Sequence, residues 1–113
     1  MPFLTVYTNT EIDNPTDVAE KSAKLIADVL HKPINYVVTN VIINKVMSFG
    51  GTSKAKGALV ELLSIGFTNK DLLVEELTKF LSEELQIDNK ANINISLIDA
   101  DASKVATGGR TFG

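Results

Sequence analysis

Hydrophobic patterning divides the chain into one order of elements used twice, strand–helix–strand and then strand–helix–strand again. Phe3 to Asn9 is β-branched and aromatic, as a strand should be. Asn14-Pro15-Thr16-Asp17 reads as a helix start: Asn14 can cap free N–H groups, Pro15 suits the first helical position, and Asp17 favours the positive end of the dipole. Val18, Leu25, Ile26, Val29 and Leu30 recur at helical spacing, and Pro33 ends that helix near His31. Tyr36 to Val46 is a long β-rich run, followed by a turn at Ser48 to Ser53 whose paired glycines permit unusual backbone angles. Ala58 to Ile65 reads as a third strand closed by Gly66, although its helical propensity is also respectable. Thr68-Asn69-Lys70-Asp71 has the spacing of a capping box, and Leu73, Leu77, Phe80, Leu81 and Leu85 form the stripe of a second helix. Asn92 to Ile98 then alternates: Asn92, Asn94 and Ser96 share one face, while Ile93, Ile95 and Leu97 share the other.

Each half is roughly 50–55 residues, room for a βαβ unit of about 30 or more. The economical solution is a single α+β domain over residues 1–113, two pseudo-repeated βαβ units giving a four-stranded mixed sheet with two helices on one face. The second strand adds a constraint. Val37, Val41 and Ile43 make one of its faces apolar, and Val38 and Ile42 make the other apolar too. Two helices can cover only one face of such a sheet, so the other face needs cover from outside the chain. A homo-oligomer is the expectation.

Composition narrows the chemistry. The chain has 113 residues and no Cys, which removes disulfides, zinc–thiolate sites and thiol nucleophiles. Its 14 acidic residues against 11 basic ones argue against nucleic acid or an anionic membrane as partner. No apolar run approaches the ~18 residues of a membrane span, and the N-terminus lacks the basic and apolar regions of a signal peptide. A soluble, cytoplasmic protein is expected, with unconventional export left open. The single His31 allows no His pair for a metal, and beside a helix C-terminus it reads as a surface cation. Glu75-Glu76 and Glu83-Glu84 diverge as neighbours on a helix must, and with Asp99-Ala100-Asp101 they read as solvated faces. Gly50-Gly51-Thr52-Ser53-Lys54 lacks the spacing of a phosphate-cradling loop.

Pro2 is more informative. Removal of the initiator Met, common before a small residue such as Pro, would leave a secondary amine at the N-terminus. An α-amino group titrates near 7.7–8.0 in general, and burial or a nearby Lys lowers it further. Such an amine can serve as a general base near neutral pH. Proline at position two is by itself unremarkable, but the first strand is expected to hold it rigidly at a sheet edge.

Five short motifs then align along the chain. Pro2-Phe3-Leu4-Thr5-Val6-Tyr7-Thr8-Asn9, Lys32-Pro33-Ile34-Asn35-Tyr36, Met47-Ser48-Phe49-Gly50-Gly51-Thr52-Ser53, Ser64-Ile65-Gly66 and Thr111-Phe112 together resemble the macrophage migration inhibitory factor family of the tautomerase superfamily. The resemblance runs nearly end to end. It implies a homotrimer whose sheets wrap into a central barrel, with three active sites at subunit interfaces. It implies that Pro2 is the catalytic acid/base, that Lys32 pairs with the substrate carboxylate, and that Ile65 meets the substrate through its backbone N–H. Asn94 and Ser96 fall where many relatives supply a Tyr and an Asn to the neighbouring subunit's site, and Tyr36, Val105 and Phe112 are expected to supply the remaining apolar lining.

The implied reaction is keto–enol tautomerisation of an aryl 2-oxo acid such as phenylpyruvate, with dopachrome isomerisation beside it, and it needs no metal or organic cofactor. Two departures weaken the pocket: Asn94 removes an aromatic wall, and Thr107 stands where relatives carry a Trp. Each aromatic contact is worth about 0.5–1.5 kcal/mol beyond its area, so reduced or redirected activity is expected. Some relatives also carry a Cys-x-x-Cys tied to thiol redox activity, and here Gly57 and Val60 occupy those positions. The alternative is a trimeric, cytokine-like protein that binds a receptor and keeps only a vestigial tautomerase site.

Overall fold

The first strand forms the middle of the sheet. In the computed structural model, which describes residues 1–113, β1 (Phe3–Thr8) lies between β2 (Val38–Ile43) and β3 (Ala58–Ser64), with β4 (Ile93–Asp99) beyond β3. β1 runs parallel to β2 and antiparallel to β3, and β3 runs parallel to β4, so the sheet is mixed. α1 (Pro15–Leu30) connects β1 to β2, and α2 (Lys70–Glu84) connects β3 to β4. These are the two βαβ units that the patterning predicts. Pro2 therefore heads a central strand rather than standing at a sheet edge, because β1 pairs on both sides over its whole length. No helix is long and apolar enough to cross a membrane.

One face of the sheet carries the core. Leu4 and Val6 of β1, Val60 and Leu62 of β3 and Ile93 of β4 are buried in one cluster with Ile26 and Leu30 of α1, Leu73, Leu77 and Leu81 of α2, and Leu85, which caps α2. The leucine spacing of α2 places four side chains on one stripe, each worth about 1.5–3 kcal/mol when fully removed from water. α1 begins as its sequence predicts, with the Asn14 side chain accepting from the Asp17 N–H at 3.1 Å and Pro15 in the first turn. It ends at His31, an exposed residue in the left-handed conformation (φ 54°).

Two expectations shift. The start of α2 is not a Thr68 capping box: the helix begins at Lys70, and Asn69 flanks it in the left-handed region (φ 53°) without a side-chain cap bond. The Thr68 hydroxyl and the Asn69 amide instead donate to the carbonyls of Leu30 and Val29, both at 3.4 Å. They serve two of the last carbonyls of α1, which an α-helix leaves without intrahelical partners. The β-rich run from Tyr36 to Val46 is also shorter as a strand, since Ile34–Tyr36 form a single 3₁₀ turn and pairing covers only Val38–Ile43.

The other face stays open along three rows fixed by the strand register. Val38, Phe3, Leu63 and Ile98 make an apolar row, Asn40, Thr5, Glu61 and Ser96 a polar one, and Ile42, Tyr7, Leu59 and Asn94 a mixed one. Val38 is 55% exposed, Leu59 44% and Ile98 41%. That is the uncovered apolar surface expected from the second strand, and it extends across all four strands.

The segment between β2 and β3 is clamped to the sheet. Phe49 and Thr52 exchange backbone hydrogen bonds at 3.0 and 3.2 Å around Gly50 and Gly51, whose positive φ angles (60° and 81°) make the tight turn. At its end the Asn9 side chain donates to the Ala55 carbonyl at 2.8 Å and accepts from the Gly57 N–H at 3.0 Å, while the Thr8 hydroxyl donates to the Gly57 carbonyl at 2.7 Å. The Thr8-Asn9 pair closing β1 thus fixes where β3 begins.

Candidate active site

The N-terminus, the end of α1 and the end of β3 converge at one end of the sheet. Pro2 is buried, and its carbonyl accepts from the Val38 N–H at 3.1 Å, so the β1–β2 ladder reaches back to include it. Met1 is only 7% exposed. Its amine is held below the usual value of 8.0, first by burial and then by the positive charge of Lys32. Lys32 thus lies within electrostatic reach of the chain terminus.

Lys32 follows the left-handed turn at His31, which swings the chain back across the end of the sheet, and its backbone N–H bonds to the Ala27 carbonyl at 3.0 Å. The half-buried side chain donates from Nζ to the Ile65 carbonyl at 3.3 Å. Ile65 lies just past β3, in a turn that Asp99 fastens: the Asp99 carboxylate accepts from the Gly66 N–H at 3.0 Å. Pairing of Ser64 with Asp99 continues through the Ala100 N–H to the Ser64 carbonyl at 2.9 Å. Asp99 was legible only as half of a solvated acidic pair, and its signal is its position where the polar–apolar alternation of β4 ends. Asp101 serves the local backbone alone, accepting from the Ser103 N–H and hydroxyl at 3.0 Å each.

The C-terminal segment supplies an apolar cluster. Tyr36 and Phe112 meet edge to face, ring centroids 5.8 Å apart at 84°. The Phe112 N–H bonds to the Val105 and Ala102 carbonyls at 3.0 and 3.1 Å, and Val105 is buried. The hairpin of β5 (Ala106–Thr107) and β6 (Arg110–Thr111) turns through Gly108 and Gly109, both at positive φ, and carries Phe112 back toward Tyr36. Tyr36 stands two residues before Val38, the strand residue bonded to Pro2.

Asn94 and Ser96 are not brought to this cluster. They lie exposed on the open face of β4, opposite Leu59 and Glu61. The register aligns Phe3 with Leu63 and Leu63 with Ile98, which leaves Ser96 about 10 Å and Asn94 about 17 Å along the strands from the level of Pro2, and two strands away. Pro2, Lys32 and Ile65 thus share one end of the sheet, Tyr36 and Phe112 meet in a second group with Val105, and Asn94 and Ser96 face elsewhere.

Fold and site define a class: a two-repeat βαβ domain whose first two residues are buried at the head of the central strand, within electrostatic reach of a lysine. A family model described as macrophage migration inhibitory factor (MIF) matches residues 1–113. The chain is 34% identical to a macrophage migration inhibitory factor homolog of Brugia malayi over 117 aligned residues, covering 100% of both. A homolog from Trichuris trichiura is 31% identical over 115 residues, 99% of this chain and 100% of its own. The solved structure of the factor from Trichinella spiralis superposes with a TM-score of 0.88 at 27% identity, over 97% of this chain and 99% of that one. The protein belongs to the macrophage migration inhibitory factor family.

Proposed function

We propose that the protein is a cofactor-independent keto–enol tautomerase of aryl 2-oxo acids of the phenylpyruvate type, acting as a homotrimer through Pro2 once Met1 is removed. The observation that carries this reading is the terminal amine, which sits where both burial and the Lys32 charge disfavour its protonated form. A secondary amine one residue further in would meet the same two influences, and both favour the neutral form that a general base needs. Family membership supports the reaction class.

In ketonisation, the neutral Pro2 nitrogen takes the enol O–H proton, the C–O bond becomes a carbonyl, and a proton returns from nitrogen to the carbon end of the former double bond. No electrons leave the substrate. The carbonyl adjacent to that carbon already acidifies its C–H bond, so the reverse step also proceeds without a metal. Lys32 exchanges its 3.3 Å bond to the Ile65 carbonyl for the substrate carboxylate, a stronger, charge-assisted partner. The Ile65 backbone N–H meets the substrate, and Tyr36, Val105 and Phe112 line the aryl side. Asn94 and Ser96 act on the site of a neighbouring copy, packed through the open face. The same chemistry extends to dopachrome isomerisation.

Loss of enol absorbance from phenylpyruvate, followed with processed protein and with Pro2→Ala, tests the proposal, with intact mass confirming that Met1 is gone. The processed protein is expected to exceed Pro2→Ala by at least a hundredfold, and equal rates overturn the reading. A second reading is favoured by the missing aromatics at Asn94 and Thr107: a cytokine-like trimer that engages a receptor and retains a vestigial site. A receptor-dependent cellular response that survives Pro2→Ala, with background activity on every small 2-oxo acid, would select it.

A further inference from the structure

The last strand reaches the candidate site through its end rather than through its open face. β4 flanks β3 on the side away from β1, and its pairing with β3 runs out at Ser64 and Asp99. Two bonds cross there. The Ala100 N–H donates to the Ser64 carbonyl at 2.9 Å, and the Gly66 N–H donates to the Asp99 carboxylate at 3.0 Å. Each bond grips one of the two peptide units that meet at Ile65. No peptide bond in the chain is cis, and in a trans unit the C=O and N–H point in opposite directions. With the Ser64 carbonyl turned to β4, the Ile65 N–H points away from that strand. With the Gly66 N–H turned to Asp99, the Ile65 carbonyl points away from it as well, and there Lys32 Nζ meets it at 3.3 Å.

Both polar backbone groups of Ile65 are therefore aimed at the flank where β1 begins. Phe3 pairs with Leu63, and the same register carried two residues on sets Met1 opposite Ile65. The charge of Lys32 reaches the Met1 amine there as well. The Ile65 N–H takes no hydrogen-bond partner within the chain, so it is free for a ligand oxygen. Two donors, the Ile65 N–H and the Lys32 ammonium, thus stand on the same side of one residue.

The first of the two peptide units continues the sheet ladder, but the second does not. Gly66 lies at φ 74°, a region glycine enters freely, and nothing stands within 4 Å of where its Cβ would be. Packing therefore leaves the plane of the Ile65–Gly66 unit free to turn, and the Asp99 bond fixes it. Without that bond the unit can rotate, and the Ile65 carbonyl that anchors Lys32 swings away. We infer that Asp99 is a positioning residue for a substrate carboxylate: acting through the Ile65–Gly66 peptide, it keeps Lys32 Nζ beside the Ile65 N–H. The inference rests on the carboxylate-binding role proposed for Lys32 and Ile65. Asp99 is exposed and lies outside the buried cluster, so its substitution leaves the fold in place.

Steady-state turnover of phenylpyruvate by the processed full chain, with 3-phenylpropionate binding followed by NMR at the Ile65 amide, tests this. The carboxylate is unchanged by the reaction, so its contacts are equal in ground and transition states, and their loss appears in KM rather than kcat. Asp99→Ala is expected to raise KM about fivefold, the worth of one hydrogen bond, with kcat unchanged, and to weaken 3-phenylpropionate binding by the same factor. Asp99→Asn keeps the acceptor oxygen and is expected to restore both values. Asp99→Ala binding 3-phenylpropionate like the parent, a fall in kcat at unchanged KM, Asp99→Asn as weak as Asp99→Ala, or no saturable shift of the Ile65 amide in the parent would each overturn the inference. Asp99-dependent binding of 3-phenylpropionate without phenylpyruvate turnover would support it and refute the tautomerase reading. Pro2-dependent turnover with binding indifferent to Asp99 would do the reverse.

Discussion

Gly57 has no room for a side chain. A Cβ there would sit 2.6 Å from the Asn92 carbonyl oxygen and 2.6 Å from Cδ1 of Phe49, and the first of these is backbone that cannot swing aside. The absent side chain lets Phe49 lie over the start of β3 while the Asn9 amide holds the Gly57 backbone. Gly57→Ala is therefore expected to cost about 1–3 kcal/mol as an overpacked site, read as a lower urea midpoint with unchanged slope. The position also stands in the sequence where some relatives have a cysteine, so thiol chemistry is replaced here by a close backbone approach. A second residue-scale prediction concerns the chain that retains Met1. Its amine titrates below the usual 8.0 in the folded state, through burial first and Lys32 second. Between that lowered value and 8.0 the unfolded chain holds more protons, so this group's contribution to stability rises with pH through the window, and below it the cost of burying the ammonium is fully present. The melting-temperature difference between N-acetylated and free chains should accordingly shrink from pH 6 to pH 9, and shrink less in Lys32→Gln.

The two helices start by different means, and their variants should separate accordingly. Asn14 caps α1 directly, so Asn14→Ala should cost about 1 kcal/mol. Thr68 does not cap α2 but makes one long bond, 3.4 Å, to the Leu30 carbonyl, and Thr68→Ala should cost well under half as much in the same urea titration. Leu77→Ala sets the upper scale at about 2–5 kcal/mol, since Leu77 is fully buried at the centre of α2's stripe. These elements also show what could be read in the sequence. Apolar spacing marks α1, α2 and β4, because burial on one face imposes a period that survives in the residue types, while β1 and β2 are legible from runs of β-branched and aromatic residues. The Thr-x-x-Asp pattern that predicts a cap for α2 is local, whereas the carbonyl that Thr68 satisfies belongs to residue 30 and is brought near only by the tertiary fold. The central place of β1 was hidden for the same reason: strand order is a matter of which faces and edges pair, and a six-residue strand reads alike at an edge or in the middle. Within the candidate site, the motifs bring Pro2, Lys32 and Ile65 to attention, but the Asp99 bond that holds the Ile65–Gly66 turn has no local signature, since it joins two strand ends 33 residues apart.

For the whole molecule the open sheet face decides what the functional unit is. Val38, Phe3, Leu63 and Ile98 form an apolar row that the helices cannot reach, and in a single chain Asn94 and Ser96 stand far from Pro2. If copies pack through this face, as the proposed trimer requires, a charge placed in the apolar row would be taken out of water on assembly without a partner, at a cost of several kcal/mol. In the isolated chain the same side chain would stay solvated, because Ile98 is 41% exposed there and contributes nothing to the buried cluster. Ile98→Glu should therefore leave the circular dichroism spectrum and the folding of each chain intact while converting a trimer into a monomer by light scattering. Phenylpyruvate turnover of the processed variant should fall at least a hundredfold, because Pro2 and Lys32 remain but Asn94 and Ser96 of a second copy no longer reach them. A monomeric Ile98→Glu protein with full turnover would show instead that Pro2, Lys32 and Ile65 of one chain suffice, and that the open face serves a purpose unrelated to the reaction.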